Sequence, residues 1–210
     1  MADSSPNTTL DDFLPSRIYL IDQWQPLVDE WSKAFAVFPE ITPLAGDYFQ
    51  QAADAMVSPA NSFGIMDGGL DLAIRDQLGY AVQARIQTVI VEKYHGELPV
   101  GCAEIVETDH DQWKYMVSAA TMRIPEPVAH TLNAYKAFRA ILLAVAKFNQ
   151  SAGTRAIDSL VCCGLGTGVG GMPAARCAGQ MQAAYKSLLM PALIGRFESI
   201  HGFHDALRKL

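Results

Sequence analysis

Two glycine-rich segments mark where this 210-residue chain could do chemistry: Met66-Asp67-Gly68-Gly69-Leu70, and the run Gly-Leu-Gly-Thr-Gly-Val-Gly-Gly-Met over 164–172. Each follows an apolar stretch and leads into a helix-like one. A glycine loop feeding a helix N-terminus offers unpaired N–H groups and the positive end of the helix dipole, and the missing Cβ atoms let an anion reach the backbone. Two such loops suit a diphosphate. Asn61 and Asp71 flank the first loop. Asn61 has the side chain to hold a sugar hydroxyl, and Asp71 can accept a proton or orient a water. The same residue types also serve local structure: Asn61 as an Asx turn, Asp71 as a first-turn carboxylate favoured by the dipole, the glycines as tight turns. Counted from Gly164, Val169 stands where G-x-G-x-x-G needs its third glycine; no βαβ unit follows the run, and no Gly-Lys-Ser/Thr exists for a P-loop.

The elements that must carry these loops alternate between strand-like and helix-like runs, with no internal repeat, which favours an α/β layered domain. Residues 18–21 (IYLI) read as a strand, 26–35 as a helix with apolar positions at helical spacing, and 41–49 as a strand containing Gly46-Asp47. Residues 54–58 (DAMVS) form a short buried strand ahead of the first loop. A helix follows over 70–78, with Gly79 as its C-cap. The spacing then predicts strands at 88–92 (TVIVE), 101–108 and 113–119, and a long amphipathic helix over 127–148 with Pro127 in its first turn. Residues 159–163 (SLVCC) read as an apolar strand opening straight into the second loop. Pro173 starts a helix to about 190, and the tail over 191–210 reads as polar and helical. Both loops therefore lie between a buried strand and a helix, which is where ligands bind in open α/β sheets.

Composition narrows the function classes. The chain carries 16 Lys+Arg against 22 Asp+Glu, a formal charge of −6, and is 50% hydrophobic. A domain of this size buries about 70% of the surface its unfolded chain would expose, so it needs no disulfide or metal staple. An acidic balance without a basic cluster excludes affinity built on neutralising nucleic-acid phosphates, so no sequence-specific nucleic-acid binding is expected. Any bound phosphate must be held mainly by backbone. Cys102, Cys162, Cys163 and Cys177 form no C-x-x-C pair, and the five histidines show no ligand spacing, so reduced thiols and no metal site are expected. No histidine is paired in sequence with a Ser or Cys as a nucleophilic triad would require. No apolar run reaches the roughly 20 residues of a membrane span, and residues 1–9 lack a signal-peptide pattern. The expectation is a cytoplasmic protein with no membrane partner.

Taken in register, Gly46-Asp47, Asp54-Ala-Met-Val-Ser-Pro-Ala-Asn-Ser62, Gly68-Gly-Leu-Asp-Leu-Ala-Ile74 and Gly166-Thr-Gly-Val-Gly-Gly-Met-Pro173 resemble the macrodomain family. The resemblance covers about 41–189 and comes closest to the MacroD-type hydrolases. It implies a three-layer α/β/α fold with a central mixed sheet, here one domain over 1–210 with a flexible stretch at 1–16. It also implies binding of ADP-ribose, or of an ADP-ribosylated macromolecule, without a cofactor. By position, Asp47 matches the aspartate that accepts from the adenine amino group, with Tyr48 beside it. Asn61 matches the asparagine at the distal ribose. Gly68, Gly69 and Leu70 match the first phosphate loop, and Gly166, Thr167, Gly168, Val169, Gly170, Gly171 and Met172 match the second. Asp71 matches the aspartate that positions water, so Asn61 and Asp71 are the implied catalytic pair.

Hydrolysis of a mono-ADP-ribosyl linkage is the implied activity. The alternatives are a non-catalytic ADP-ribose reader, a phosphatase on ADP-ribose 1″-phosphate, and a scaffold that has lost the ligand. The chain departs from the family pattern in four places. Its first glycine run is shortened by Met66-Asp67. Gly68 stands where the DNA-linked ADP-ribose hydrolases have a lysine. Gly170 stands where many hydrolases have an aromatic residue, which is expected to open that end of the cleft. No strand carrying an adenine-stacking aromatic is evident after Met190, leaving Phe197 or Phe203 as substitutes or as helix residues packed on the core.

Overall fold

The computed structural model describes residues 10–190 and 194–210. Six strands, β1 (Arg17–Asp22), β2 (Ile41–Ala45), β3 (Ala55–Ser58), β4 (Ala103–Glu107), β5 (Tyr115–Ala119) and β6 (Ser159–Cys162), form one sheet in the order β2-β1-β6-β3-β5-β4. All neighbours run parallel except β4, which pairs antiparallel with β5. Strands buried on both faces read as continuous apolar runs rather than alternating ones, which is why AMVS and SLVC are unbroken. Their side chains still alternate. Leu20, Val57, Val117 and Leu160 face one core, while Ile21, Met56, Met116 and Val161 face the other.

Helices cover both faces and complete a three-layer α/β/α fold. On the first face lie α1 (Gln25–Ala34), α4 (Asn133–Ala152) and α5 (Ala174–Leu189), which bring Trp31, Phe138, Ile141 and Met181 onto the sheet. On the second lie α2 (Gly69–Leu78) and α3 (Ala81–Tyr94), contributing Ile74, Val82, Ile86 and Ile90. The last helix, α6 (Phe197–Lys209), packs on α5. Near the start of the chain, Leu10–Phe13 forms a 3-10 helix, and the Ser16 hydroxyl donates to Asp158 at 2.7 Å. The expectation of a flexible stretch at 1–16 lies, for residues 1–9, outside the described residues.

Two expected elements differ. Residues 88–92 (TVIVE) lie inside α3, not in a strand. Their β-branched composition favours a strand, but Val82, Ile86 and Ile90 recur every fourth residue, so a helix buries all three on one stripe. The helix expected from Pro127 begins only at Asn133. Ahead of it Val128 N–H donates to Gly170 O (2.8 Å), while the Thr131 hydroxyl accepts from Asn133 N–H (3.2 Å). The Val128 bond ties the stretch before Asn133 to the second glycine loop instead of into a first helical turn.

Candidate functional site

The parallel pairing between β3 and β6 covers only Ala55–Leu160 and Met56–Val161. Beyond that point Tyr48 bridges the two strands: its hydroxyl accepts from Val57 N–H (2.9 Å) and donates toward the carbonyls of Val57 (2.7 Å) and Val161 (2.9 Å). Past this bridge, at the C-terminal ends of β1, β3 and β6, lies a cavity of about 250 Å³. Its walls are the two glycine loops, with Asp22, Asn61 and Asp71 among its lining residues. A crevice at the carboxyl ends of parallel strands is where this sheet type binds ligands.

The first loop enters α2 through Gly68 and Gly69, and the φ of +57° at Gly69 is a left-handed conformation that a side chain would strain. The first N–H groups of α2 have no partner within the helix, and the cavity meets it there. Asp71, in that first turn, is only 7% exposed. The Ser58 hydroxyl, at the end of β3, donates a short hydrogen bond to it. Burial pushes the Asp71 carboxyl up to about 6; the Ser58 bond opposes this, and the nearby Asp67 charge adds to it.

Asn61 lines the cavity, but its side chain also serves its own loop. Its Oδ1 accepts from Phe63 N–H (3.0 Å) and Ile65 N–H (3.3 Å), and its Nδ2 donates to Ile65 O (2.7 Å). The Asx-turn role and the position on the cleft therefore hold together.

The second loop is braced by Met172 N–H to Gly166 O (2.9 Å) and Gly171 N–H to Gly168 O (3.0 Å). Gly166, Thr167, Gly168, Val169 and Gly170 line the cavity. Gly170 corrects an expectation. It is buried, and a Cβ there would lie 2.5 Å from Gly166 O and collide with Val128 Cγ2. The missing side chain is thus required by packing beneath the loop and does not open the cleft. Val169, 65% exposed, is the side chain the loop presents.

Four other expected ligand contacts differ, among them Gly171, which does not line the cavity. Tyr48 is buried and its hydroxyl is spent between β3 and β6, and Met172 is buried in the core under α5. Asp47 does not line the cavity; its carboxylate accepts from Phe49 N–H (3.0 Å) and caps a 3-10 turn, Tyr48–Gln50. Gly46 N–H bonds to Asp22 O (3.1 Å), so the Gly46-Asp47 turn still sits beside the end of β1.

Sequence reasoning missed Asp22 and Ser58. Asp22 ends β1, lines the cavity and accepts from Trp24 N–H (2.9 Å), which fixes the backbone of a tryptophan 42% exposed beside the cleft. The signal was a polar residue closing the apolar run IYLI. No strand follows Met190 among the described residues, and β1 fills the place beside β6. Phe203 packs on Tyr135 (centroids 5.8 Å apart) and Phe197 lies near His201; neither lines the cavity. Among the described residues no group of His, Cys, Asp or Glu is arranged to hold a metal ion, and no helix is long and apolar enough to cross a membrane.

Known proteins match this geometry. The family model described as Macro domain matches residues 57–181. An uncharacterized protein of Aquifex aeolicus is 31% identical over 134 residues, 64% of this chain and 73% of that one. One from Aeropyrum pernix is 30% identical over 133 residues, 63% of this chain and 64% of that one. Among solved structures, the macrodomain of Mycobacterium tuberculosis DarG superposes with a TM-score of 0.55 at 18% identity, over 69% of this chain and 89% of that one. Thermosipho africanus DarTG in complex with ADP-ribose gives 0.53 at 19% identity, over 74% of this chain and 42% of that one. A mutant Oceanobacillus iheyensis macrodomain solved with ADPR gives 0.53 at 18% identity, over 67% and 74%. The match to the family model spans more than half of the chain, and the six-stranded mixed sheet between helices is the fold of these structures: the chain belongs to the Macro domain family.

Proposed function

We propose that this protein binds ADP-ribose in the cleft between its glycine loops and hydrolyses mono-ADP-ribosyl linkages on a macromolecular acceptor. The observation that carries the reading is Asp71, a buried carboxyl on a cavity that both glycine loops line. The N–H groups at the start of α2 and along Gly166 to Gly170 hold the diphosphate in a cleft whose described lining includes no Lys, Arg or His. Asn61 stands at the distal ribose. Asp71 takes a proton from water as the water attacks the anomeric carbon, and a carboxyl raised to about 6 is both ionised and basic at neutral pH. Positioning and fixed dipoles supply the rate, without a covalent nucleophile. The base end lies toward Asp22 and Trp24, with Asp47 on the neighbouring turn.

A reader that binds without turnover is the second reading, favoured by one observation: the Asn61 amide is committed to its own loop. A phosphatase acting on a terminal phosphate is disfavoured, since no side-chain cation lines the cavity to take its extra charge. The test is calorimetry with ADP-ribose, followed by a release time course on acceptors modified at acidic, serine, arginine and nucleic-acid-base positions. Release that is lost in Asp71→Ala while ADP-ribose still binds supports the hydrolase. Binding with no release from any linkage makes the protein a reader.

A further inference from the structure

We propose that the acceptor this cleft selects is a cationic side chain, arginine N-linked to ADP-ribose, and that Asp67 is the residue that selects it. The proposal rests on the hydrolase reading and names its substrate class. Every charged side chain lining the cavity is a carboxylate: Asp22, Asp67 and Asp71. Basic residues on the surrounding elements are engaged elsewhere. Arg75 pairs with Asp76 and lies over the Tyr80 ring, and Arg123 pairs with Glu97 and lies over Phe63. Asp67 sits on the turn just before Gly68, the N-cap of α2, is exposed, and among the described residues its side chain makes no hydrogen bond or ion pair. It is close enough to Asp71 for the two charges to be felt by one another.

Around this unpaired carboxylate the same cavity offers apolar walls. Ile65 is 43% exposed and Val169 65%, with Pro125 also lining the cavity. A guanidinium on a trimethylene stem fits that combination: the fork donates to Asp67 while the methylenes lie on Ile65 and Val169. An acidic acceptor would bring a carboxylate toward two carboxylates as the linkage breaks, and a serine would leave Asp67 without a partner.

The reaction balances without a further reagent. A water oxygen bonds to the anomeric carbon of the distal ribose, and its proton passes to the Asp71 carboxylate. The carbon–nitrogen bond breaks with its electron pair going to nitrogen, and the arginine leaves as neutral guanidine. That guanidine then takes the proton from Asp71, giving ADP-ribose and guanidinium.

The experiment compares one carrier peptide modified at arginine, glutamate or serine, with wild type, Asp67→Asn and Asp67→Glu. Wild type is expected to release ADP-ribose from arginine faster than from the other two. Asp67→Asn is expected to lower kcat/KM on the arginine substrate about 10-fold, with KM carrying most of the change, since it removes a charged hydrogen-bond partner. Asp67→Glu, which keeps the charge, is expected to restore most of the arginine preference. Release from glutamate or serine but not arginine overturns the proposal and leaves the hydrolase reading standing, as does an Asp67→Asn loss equal on all three linkages. Binding of ADP-ribose with no release from any linkage overturns both.

Discussion

Replacing Asp71 with asparagine is expected to stabilise the ligand-free protein at neutral pH. The buried carboxyl has its pKa raised from 3.8 to about 6, with burial the largest cause. At about 1.4 kcal/mol per pH unit, the gap corresponds to a burden of about 3 kcal/mol on the folded state once the group is ionised. The sign follows from which state binds the proton more tightly. The folded carboxyl does, so the burden is fully present above about pH 6, declines as pH falls through that value, and is gone near pH 4, where the native group is protonated. Asparagine keeps an oxygen to accept from the Ser58 hydroxyl and replaces the other carboxylate oxygen by an uncharged amide group. Imperfect pairing of that amide trims the gain to about 1–3 kcal/mol. For a domain of this length each kcal/mol moves Tm by about 2–4 °C. The assay is thermal unfolding of wild type and Asp71→Asn between about pH 4 and pH 8. A Tm gain of several degrees at pH 8 that shrinks toward zero at pH 4 is the expected result. A variant less stable than wild type at pH 8, or a gain independent of pH, refutes the idea that burial of a charged Asp71 burdens this fold.

Two further perturbations probe the walls of the cleft. Gly170→Ala should destabilise by about 1–3 kcal/mol and weaken ADP-ribose binding, because its Cβ would sit 2.5 Å from Gly166 O in a braced loop; an unchanged Tm and calorimetric Kd would show that the loop has room. Trp24→Ala, at an exposed position beside Asp22, should leave Tm nearly unchanged but weaken ADP-ribose about 10-fold if the indole stacks on the base. Ribose 5-phosphate, which has no base, should bind both proteins alike, and equal affinity of the two for ADP-ribose would remove Trp24 from the site.

The parts of this molecule that were legible in the sequence are those set by short-range rules. A run such as AMVS followed by Pro and Asn can be read as a buried strand entering a loop, because period, length and punctuation all lie within a few residues. The same rules mislead where two local signals compete. TVIVE carries the composition of a strand, and only the packing of Ile86 and Ile90 against the sheet decides for the helix. Gly170 shows a subtler failure: the absence of a side chain reads as open space, yet the space is filled by Val128, 42 positions earlier in the chain. The site itself depends most on long-range placement. Asp22, Ser58, Asp71 and Gly166 come from four separate elements, and they meet because β1, an early strand, pairs with β6 rather than because of any spacing between them. A carboxylate at the end of a short apolar run has no mark of function until that pairing sets it under the glycine loop. Asp71 is the exception, and the reason is physical. A charged residue in the first turn of a helix, two residues after paired glycines, stands where a helix dipole favours an anion, but burial takes away the water that would otherwise stabilise it. A fold keeps such a group when something that enters the cleft gives it work, so the residue that most burdens the empty protein is the first to examine for the chemistry of the filled one.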